Sequence, residues 1–419
     1  MYRRMIYAAA IAAAMMASSG CSDSVAVPAT YDRTLDAASQ ERQAATVSTL
    51  EALVNIESGS GDAVGMQQMS DYLAQQLAGL GATVTRHKPE DGSVGDNVVG
   101  RFQGTGSRNI LLMAHMDTVY PRGFLAKAPF RVDGNRAYGP GIADDKGGIA
   151  VILNALAILR AQGFNGYGTL TVLFNTDEEV GSFGSRALIQ SLAAQHDYVL
   201  SHEPTVDVAE SFGLATSGIS HAEVKIKGRA SHAGVAPELG VNALTEAADL
   251  ILRTQDIDNK EREIRFNWTL ASAGSASNAI PDTATLTADM RYGRNEDLDS
   301  ITAMLTERVQ RKRLPATEIT VDVHRGRPAF NASTAGQALA AKAQAIYREV
   351  SGEVSVAPER TGGGTDAAYA ALAGKPVLES LGLPGFGYHS NADEYILIDS
   401  IPRRLYLATR LIMDLSLGR

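Results

Sequence analysis

Cysteine is nearly absent from this chain, since Cys21 stands alone among 419 residues. A lone cysteine excludes an internal disulfide and a thiolate zinc site, and it makes a cysteine nucleophile a poor reading. Positive charge is also in short supply, with 38 Lys and Arg against 47 Asp and Glu and a net charge of -9. Nucleic acid and anionic membrane are therefore poor partners. Long apolar runs are missing too. The longest candidate, Met5 to about Ala17, falls short of the roughly 20 residues that a membrane-spanning helix needs, and no later segment qualifies. Aromatic residues make up only 6% of the chain, and beyond the first residues there is no internal repeat or low-complexity tract.

What is present is ordinary globular material, 45% hydrophobic and long enough for two domains with separate cores. The first 20 residues combine Arg3 and Arg4, an apolar run and then small residues, the pattern of a secretory signal. Loss of that segment, with two arginines and no acid, takes the net charge from -9 to about -11. Ser18, Ser19 and Gly20 directly before Cys21 resemble a bacterial lipoprotein cleavage site, although leucine is the usual residue where Ser18 stands. The expectation is an exported, periplasmic protein with Cys21 as a lipid anchor, and a plain signal peptide with an incidental cysteine is the alternative.

Downstream, residues 29–58 are polar with helical spacing, placing Val47, Leu50, Leu53 and Val54 on one face of a surface helix. Met66 to Leu80 reads as a second amphipathic helix closed by Gly81. Three short apolar runs, NILLMA, TLTVLFN and YVLS, read as buried strands, and each is followed at once by acids or histidine: His115, Asp177 to Glu179, and His202 with Glu203. Helical segments alternate with them, the order of an α/β fold with a mainly parallel sheet flanked by helices. Ligands of such sheets bind outside the carboxyl ends of the strands, so these side chains should converge on one rim. Between about 216 and 326 the pattern changes to strict alternation, with Ala284, Leu286, Ala288 and Met290 against Thr285, Thr287, Asp289 and Arg291. Its order of strand 221–227, helix 241–254, strands 265–271 and 283–292, helix 296–311 and strand 318–324 is the βαββαβ of a ferredoxin-like α+β domain. The organisation expected is therefore signal 1–20, a catalytic domain over 29–215 and 327–419, and an inserted dimerisation or lid domain over 216–326.

HMDTV, GIADDKGG, NTDEEVGSFGS, SHEP, ASHAG and GYHS follow one another in the order found in the M20 metallopeptidases, and the likeness covers essentially the whole mature chain. The chain resembles most the periplasmic glutamate carboxypeptidase branch, which the flanks KAPFRV, RTGGGTDAAYAAL and SLGLPGFGYHS also resemble. The resemblance implies a zinc-exopeptidase-like fold with two Zn²⁺ per subunit. It implies that Asp144 bridges the ions, that His115 and Glu203 complete one site, and that Glu179 and His389 complete the other. Glu178 would be the general base, and Asp117 would hold the His115 ring through its other nitrogen. A cis peptide is implied between Asp144 and Asp145. In the inserted domain, His232 would reach the partner subunit's active site as an oxyanion donor, and Asn278 would contact substrate, so that activity requires a homodimer.

The chemistry of the residues agrees with that allocation. Two ions about 3.5 to 4 Å apart need a bridging carboxylate and terminal ligands that leave a water exposed, and a carboxylate beside that water can take its proton. A free terminal carboxylate on the substrate calls for a guanidinium: Arg291 is the first candidate and Arg327 the second, with backbone amides of Gly362, Gly363 and Gly364 as further donors. TVDVAES after Pro204 is acidic and offers no lysine, which leaves the side-chain pocket open. TGGGTD lacks the lysine and spacing of a phosphate-binding loop. His202, next to a ligand on a strand end, reads as structural, and His87, His196, His221 and His324 read as surface residues. The function expected is hydrolysis of the amide bond to a C-terminal amino acid, glutamate of folates and their analogues first. An N-acyl-amino-acid amidohydrolase or dipeptidase is the nearest alternative, and a non-catalytic periplasmic binding lipoprotein is a remote one.

Overall fold

The strand Ile110–His115 is buried along its whole length, and its two faces meet different cores. Ile110, Leu112 and Ala114 pack with the helix Lys146–Ala161, whereas Leu111 and Met113 pack with the helix Arg186–Ala194. A strand covered by helices on both sides has no wet face, which is why its sequence is a continuous apolar run rather than an alternation. Each fully buried leucine contributes roughly 1.5 to 3 kcal/mol.

The computed structural model describes residues 30–206, 208–357, 359–390 and 393–419. The expected signal segment and Cys21 lie outside the described residues. The main sheet runs Thr83–His87, Asn97–Gln103, Thr169–Asn175, Ile110–His115, Tyr198–Ser201 and Val377–Leu378. The first two pairings are antiparallel and the other three parallel. The parallel ends of Thr169–Asn175, Ile110–His115 and Tyr198–Ser201 form the expected rim, with His115 opposite Asn175 and Met113 opposite Ser201.

The segment expected to form one surface helix is two helices, Arg33–Glu41 and Gln43–Val54, and Leu35, Leu50 and Leu53 are fully buried. The helix Ala63–Leu80 starts where Asp62 accepts from the Val64 and Gly65 amides and stops at Gly81, whose φ of 102° suits a residue without a side chain.

A second sheet has the order Arg265–Ala273, Thr283–Tyr292, Gly218–Lys227 and Glu318–His324, all antiparallel. The helices Ala243–Arg253 and Asn295–Gln310 cover one face over a core of their own that includes Ala222, Val224, Leu286 and Leu305. The chain passes between the two bodies at Ala215–Thr216 and Phe330–Asn331, which pair with each other as an antiparallel ladder.

One sheet has no counterpart in the sequence reading. Five strands of two or three residues each, Arg131–Asp133, Arg136–Tyr138, Tyr395–Leu397, Pro384–Phe386 and Thr205–Val206, lie side by side. They flank three site segments: Arg136–Tyr138 precedes the loop to Asp144, Thr205–Val206 follows Glu203, and Pro384–Phe386 precedes His389.

Candidate metal centre

At the sheet rim the two carboxylate oxygens of Asp144 face different imidazoles. Its Oδ1 lies 2.9 Å from His115 Nε2, and its Oδ2 lies 3.3 Å from His389 Nε2. Glu203 Oε1 is 3.8 Å from His115 Nε2, and Glu179 Oε2 is 3.1 Å from His389 Nε2. Each half of the cluster thus offers one imidazole, one terminal carboxylate and one oxygen of a shared carboxylate. The peptide between Asp144 and Asp145 is cis, as expected.

The donor set fits divalent cations. His115 is buried, which works against a charged ring, yet Glu203, Asp117 and Asp144 raise its pKa well above the ordinary imidazole value. Contacts with Asp144 and Glu179 push His389 up to about 10. Burial raises the Glu203 and Glu179 carboxyls, and Glu179 Oε1 is buried with no partner among the described residues. Crowded acids that recruit protons onto neighbouring imidazoles are what divalent ions replace, and zinc accepts imidazole and carboxylate together.

Asp117 is tied more widely than its proposed role requires. Its Oδ1 is 3.3 Å from His115 Nδ1 and accepts from the Glu178 amide at 3.0 Å. Its Oδ2 accepts from the Glu179 amide at 3.1 Å and from Ser60 Oγ at 2.7 Å. One buried carboxylate therefore fixes both the His115 ring and the turn that carries Glu178 and Glu179.

A cavity of about 860 Å³ opens in front of the cluster, lined by Asp144, Glu178, Glu179, Glu203 and His389 on one side and by Ile219, His221 and Arg291 on the other. Gly363 and Gly364 also line it. Arg291 is held by Asp289 at 2.9 Å, and its Nη1 donates to the Gly362 carbonyl at 3.1 Å.

Arg327 lines the same cavity, and its guanidinium is already engaged. Its guanidinium is 5% exposed and pairs with the Glu178 carboxylate, while Nη2 donates to the Glu178 carbonyl at 2.6 Å and to Ser182 Oγ at 3.0 Å. A buried guanidinium settles on buried acceptors, so here it grips the candidate base rather than open solvent.

His232 and Asn278 come together away from the cavity, where the Ala233 amide donates to the Asn278 carbonyl at 2.8 Å and His232 bridges Ala279. The His232 ring is exposed, and its Nδ1 accepts from the Gly234 and Val235 amides at 3.2 Å each. In the neutral ring that leaves the proton on Nε2, which points outward as a donor.

The bland reading of the other histidines needs one correction. His196 is buried, not on the surface, with its Nδ1 on the Leu192 carbonyl at 2.6 Å and its Nε2 on Thr171 Oγ1 at 2.7 Å. His202 is buried beside Glu203 and burial depresses it to about 4, in keeping with a structural ring. His221 and His324 are exposed and stack with ring centroids 4.7 Å apart, and His221 reaches the cavity wall.

Glu394 was not foreseen. It is 2% exposed, and its carboxylate accepts from the amides of Gly141, Ala143 and Asp144. Hydrogen bonds to backbone leave no spacing rule in a sequence, so only its closeness to His389 along the chain could have drawn notice.

Residues 111–414 match the peptidase family M20/M25/M40. Carboxypeptidase G2 of Pseudomonas sp. (strain RS-16) is 60% identical over 388 residues, covering 93% of each chain. A succinyl-diaminopimelate desuccinylase of Stenotrophomonas maltophilia is 29% identical over 74% of this chain and 84% of its own. Among solved structures, an M20 family metallo-carboxypeptidase from Sulfolobus solfataricus superposes with a TM-score of 0.71 at 16% identity, covering 89% of this chain and 99% of its own. A tripeptidase from Staphylococcus aureus does so with 0.75 at 22% identity, over 89% and 98%. The chain is a member of peptidase family M20/M25/M40.

Proposed function

We propose that this chain is a two-zinc carboxypeptidase that hydrolyses the amide bond to a C-terminal amino acid, glutamate of folates, folate analogues or N-acyl glutamates first. The observation that carries the reading is Asp144, shared between two imidazole and carboxylate sets with Glu178 in the same cavity wall. The 60% identity to a carboxypeptidase over nearly the whole length supports the direction of cleavage.

Two zinc ions held by His115, Asp144, Glu203, Glu179 and His389 would supply Lewis acidity and bring the pKa of a water between them close to neutral. Glu178 takes the proton of the attacking water and passes it to the departing nitrogen. Arg327 fixes the carboxylate of Glu178 through its guanidinium, so the base does not have to be oriented during the reaction. Asp117 keeps Nδ1 of His115 engaged, which directs Nε2 into the cluster. Arg291 and the Gly363 and Gly364 amides lie on the cavity wall where a substrate's free carboxylate needs donors.

His232 donates a hydrogen bond from Nε2 to the oxyanion in the partner subunit of a homodimer, and Asn278 beside it contacts the substrate. The strand Arg265–Ala273 is an edge of its sheet, with Leu270 67% exposed, and the helix Ala243–Arg253 beside it leaves Leu252 65% exposed. An edge with exposed leucines next to it invites a second copy. Export to the periplasm, with a lipid on Cys21, rests on the leading residues alone; among the described residues no helix is long and apolar enough to cross a membrane.

The test is release of free amino acid from folate, methotrexate and a panel of N-acyl amino acids by the zinc-loaded chain, beside Glu178→Gln. Expected is rapid release of glutamate and a loss of about 10²- to 10⁴-fold in the variant with both ions retained. Release of other amino acids only would move the protein to the amidohydrolases or dipeptidases. No release from any compound would leave a binding protein.

A further inference from the structure

Between Gly139 and Asp144 the chain crosses from the small five-stranded sheet to the metal centre, and almost every amide along the way ends on one residue. The Glu394 carbonyl accepts from the Gly139 amide at 3.2 Å. Its side-chain Oε2 accepts from the Gly141 amide at 2.9 Å and from the Tyr120 hydroxyl at 2.7 Å, and its Oε1 accepts from the amides of Ala143 at 2.8 Å and Asp144 at 3.1 Å. Glu394 itself precedes the strand Tyr395–Leu397, which pairs with both Arg136–Tyr138 and Pro384–Phe386. The latter strand leads directly to His389. The same hairpin therefore delivers one terminal ligand and grips the loop of the shared one.

A carboxylate is the one common side chain that offers acceptors on both of its terminal atoms. A carboxamide would turn one of them into a donor facing an N–H, and an aspartate would fall short by a methylene. Nothing in hydrolysis as derived above requires Glu394, which lines no part of the cavity. Its four donors have a single common effect, to fix the position and tilt of Asp144.

We propose that Glu394 is the positioning residue for both metal sites at once, acting through Asp144. The inference rests on the reading of Asp144 as the shared ligand. A terminal ligand such as His389 or Glu203 serves one site, whereas any shift of Asp144 misplaces an oxygen in each. Loss of Glu394 therefore weakens the two sites together, by about 10- to 100-fold, the range typical for partners that orient a ligand.

The experiment titrates the apo form of the full chain with Co²⁺ and follows its visible absorption, with zinc per chain measured after dialysis against a metal buffer. Wild type, His389→Ala, Asp144→Asn, Glu394→Gln and Tyr120→Phe are compared. Expected for Glu394→Gln is a parallel loss of affinity at both sites and an altered Co²⁺ spectrum, while His389→Ala loses one site. Tyr120→Phe removes one hydroxyl from the network and should shift both affinities in the same direction by less, which keeps the test open if Glu394→Gln does not fold. Two ions bound by Glu394→Gln with wild-type affinity and spectrum, or a Tyr120→Phe protein in which one site alone weakens, would overturn the proposal. Should Asp144→Asn retain both ions, the shared-ligand reading itself falls; should it lose them while Glu394→Gln does not, only the positioning role falls.

Discussion

At the scale of single residues, the candidate ligands and base were visible in the sequence, as was Asp117 behind His115, whereas Glu394 behind the Asp144 loop was not. His115, Asp144, Glu178, Glu179, Glu203 and His389 sit in motifs with fixed neighbours, and the structure brings the last five to one cavity with His115 buried 2.9 Å from Asp144. For Arg327 a sequence shows a cation without showing which acceptor it finds; at the cavity wall it finds Glu178. His196 was misplaced because it lies just after the helix Arg186–Ala194, a usual place for a surface residue. Its burial has a measurable consequence. Burial lowers its pKa from the ordinary 6.5, and the bonds to Leu192 and Thr171 fit a neutral ring. Between that lowered value and 6.5 the unfolded chain binds a proton that the folded chain refuses, so this part of the stability is lost as pH falls through about 6.5. With zinc held constant, the urea midpoint of the wild type should fall more between about pH 7.5 and 5.5 than that of His196→Gln. Equal falls would show that the fold leaves the ring's pKa where the unfolded chain has it.

Among elements, legibility followed length. Strands such as Thr169–Asn175 and Thr283–Tyr292 run seven residues or more, enough to display an apolar run or a period of two. The five strands that seat the metal loops run two or three residues, too few for any period, and the pairings of Tyr395–Leu397 with Arg136–Tyr138 and of Pro384–Phe386 with Thr205–Val206 join segments far apart in the chain. The helix Lys146–Ala161 was legible as a helix but its tight first turn was not. A Cβ on Gly148 would come within 2.2 Å of the His202 carbonyl and 2.3 Å of Asp145 Oδ1. Glycine to alanine within a helix normally stabilises by up to about 1 kcal/mol, and Gly79, with nothing within 4 Å of its would-be Cβ, is the ordinary case. Gly79→Ala should therefore raise the melting temperature. Gly148→Ala should lower it, through the roughly 1 to 3 kcal/mol of stability that overpacking costs. If both rise, the His202 strand end yields more easily than its packing indicates.

For the whole molecule, the division into an α/β body and a ferredoxin-like body was readable from the change in patterning near residues 216 and 327, because the second body buries only one face of its sheet. What patterning could not reveal is where His232 acts, since in its own chain it lies outside the cavity that holds Glu178. Mixing two inactive variants separates the cases. If His232 serves the neighbouring subunit, dimers re-formed from equal parts Glu178→Gln and His232→Ala contain one intact site in each hybrid and recover about a quarter of wild-type activity. Service within its own chain predicts no recovery. The connection between the bodies has a consequence for how the chain comes together. Ala215 pairs with Asn331 and Thr216 with Phe330, and Arg360 donates to the carbonyls of both Thr216 and Phe330. The chain therefore leaves the α/β body and returns to it at almost the same point. Once the four-stranded body has formed, everything between the two crossings counts as a short closed loop. The pairing of Val377–Leu378 with Tyr198–Ser201, distant in sequence, then closes a loop of roughly 60 residues instead of roughly 175, which lowers its closure cost by about 1 kcal/mol.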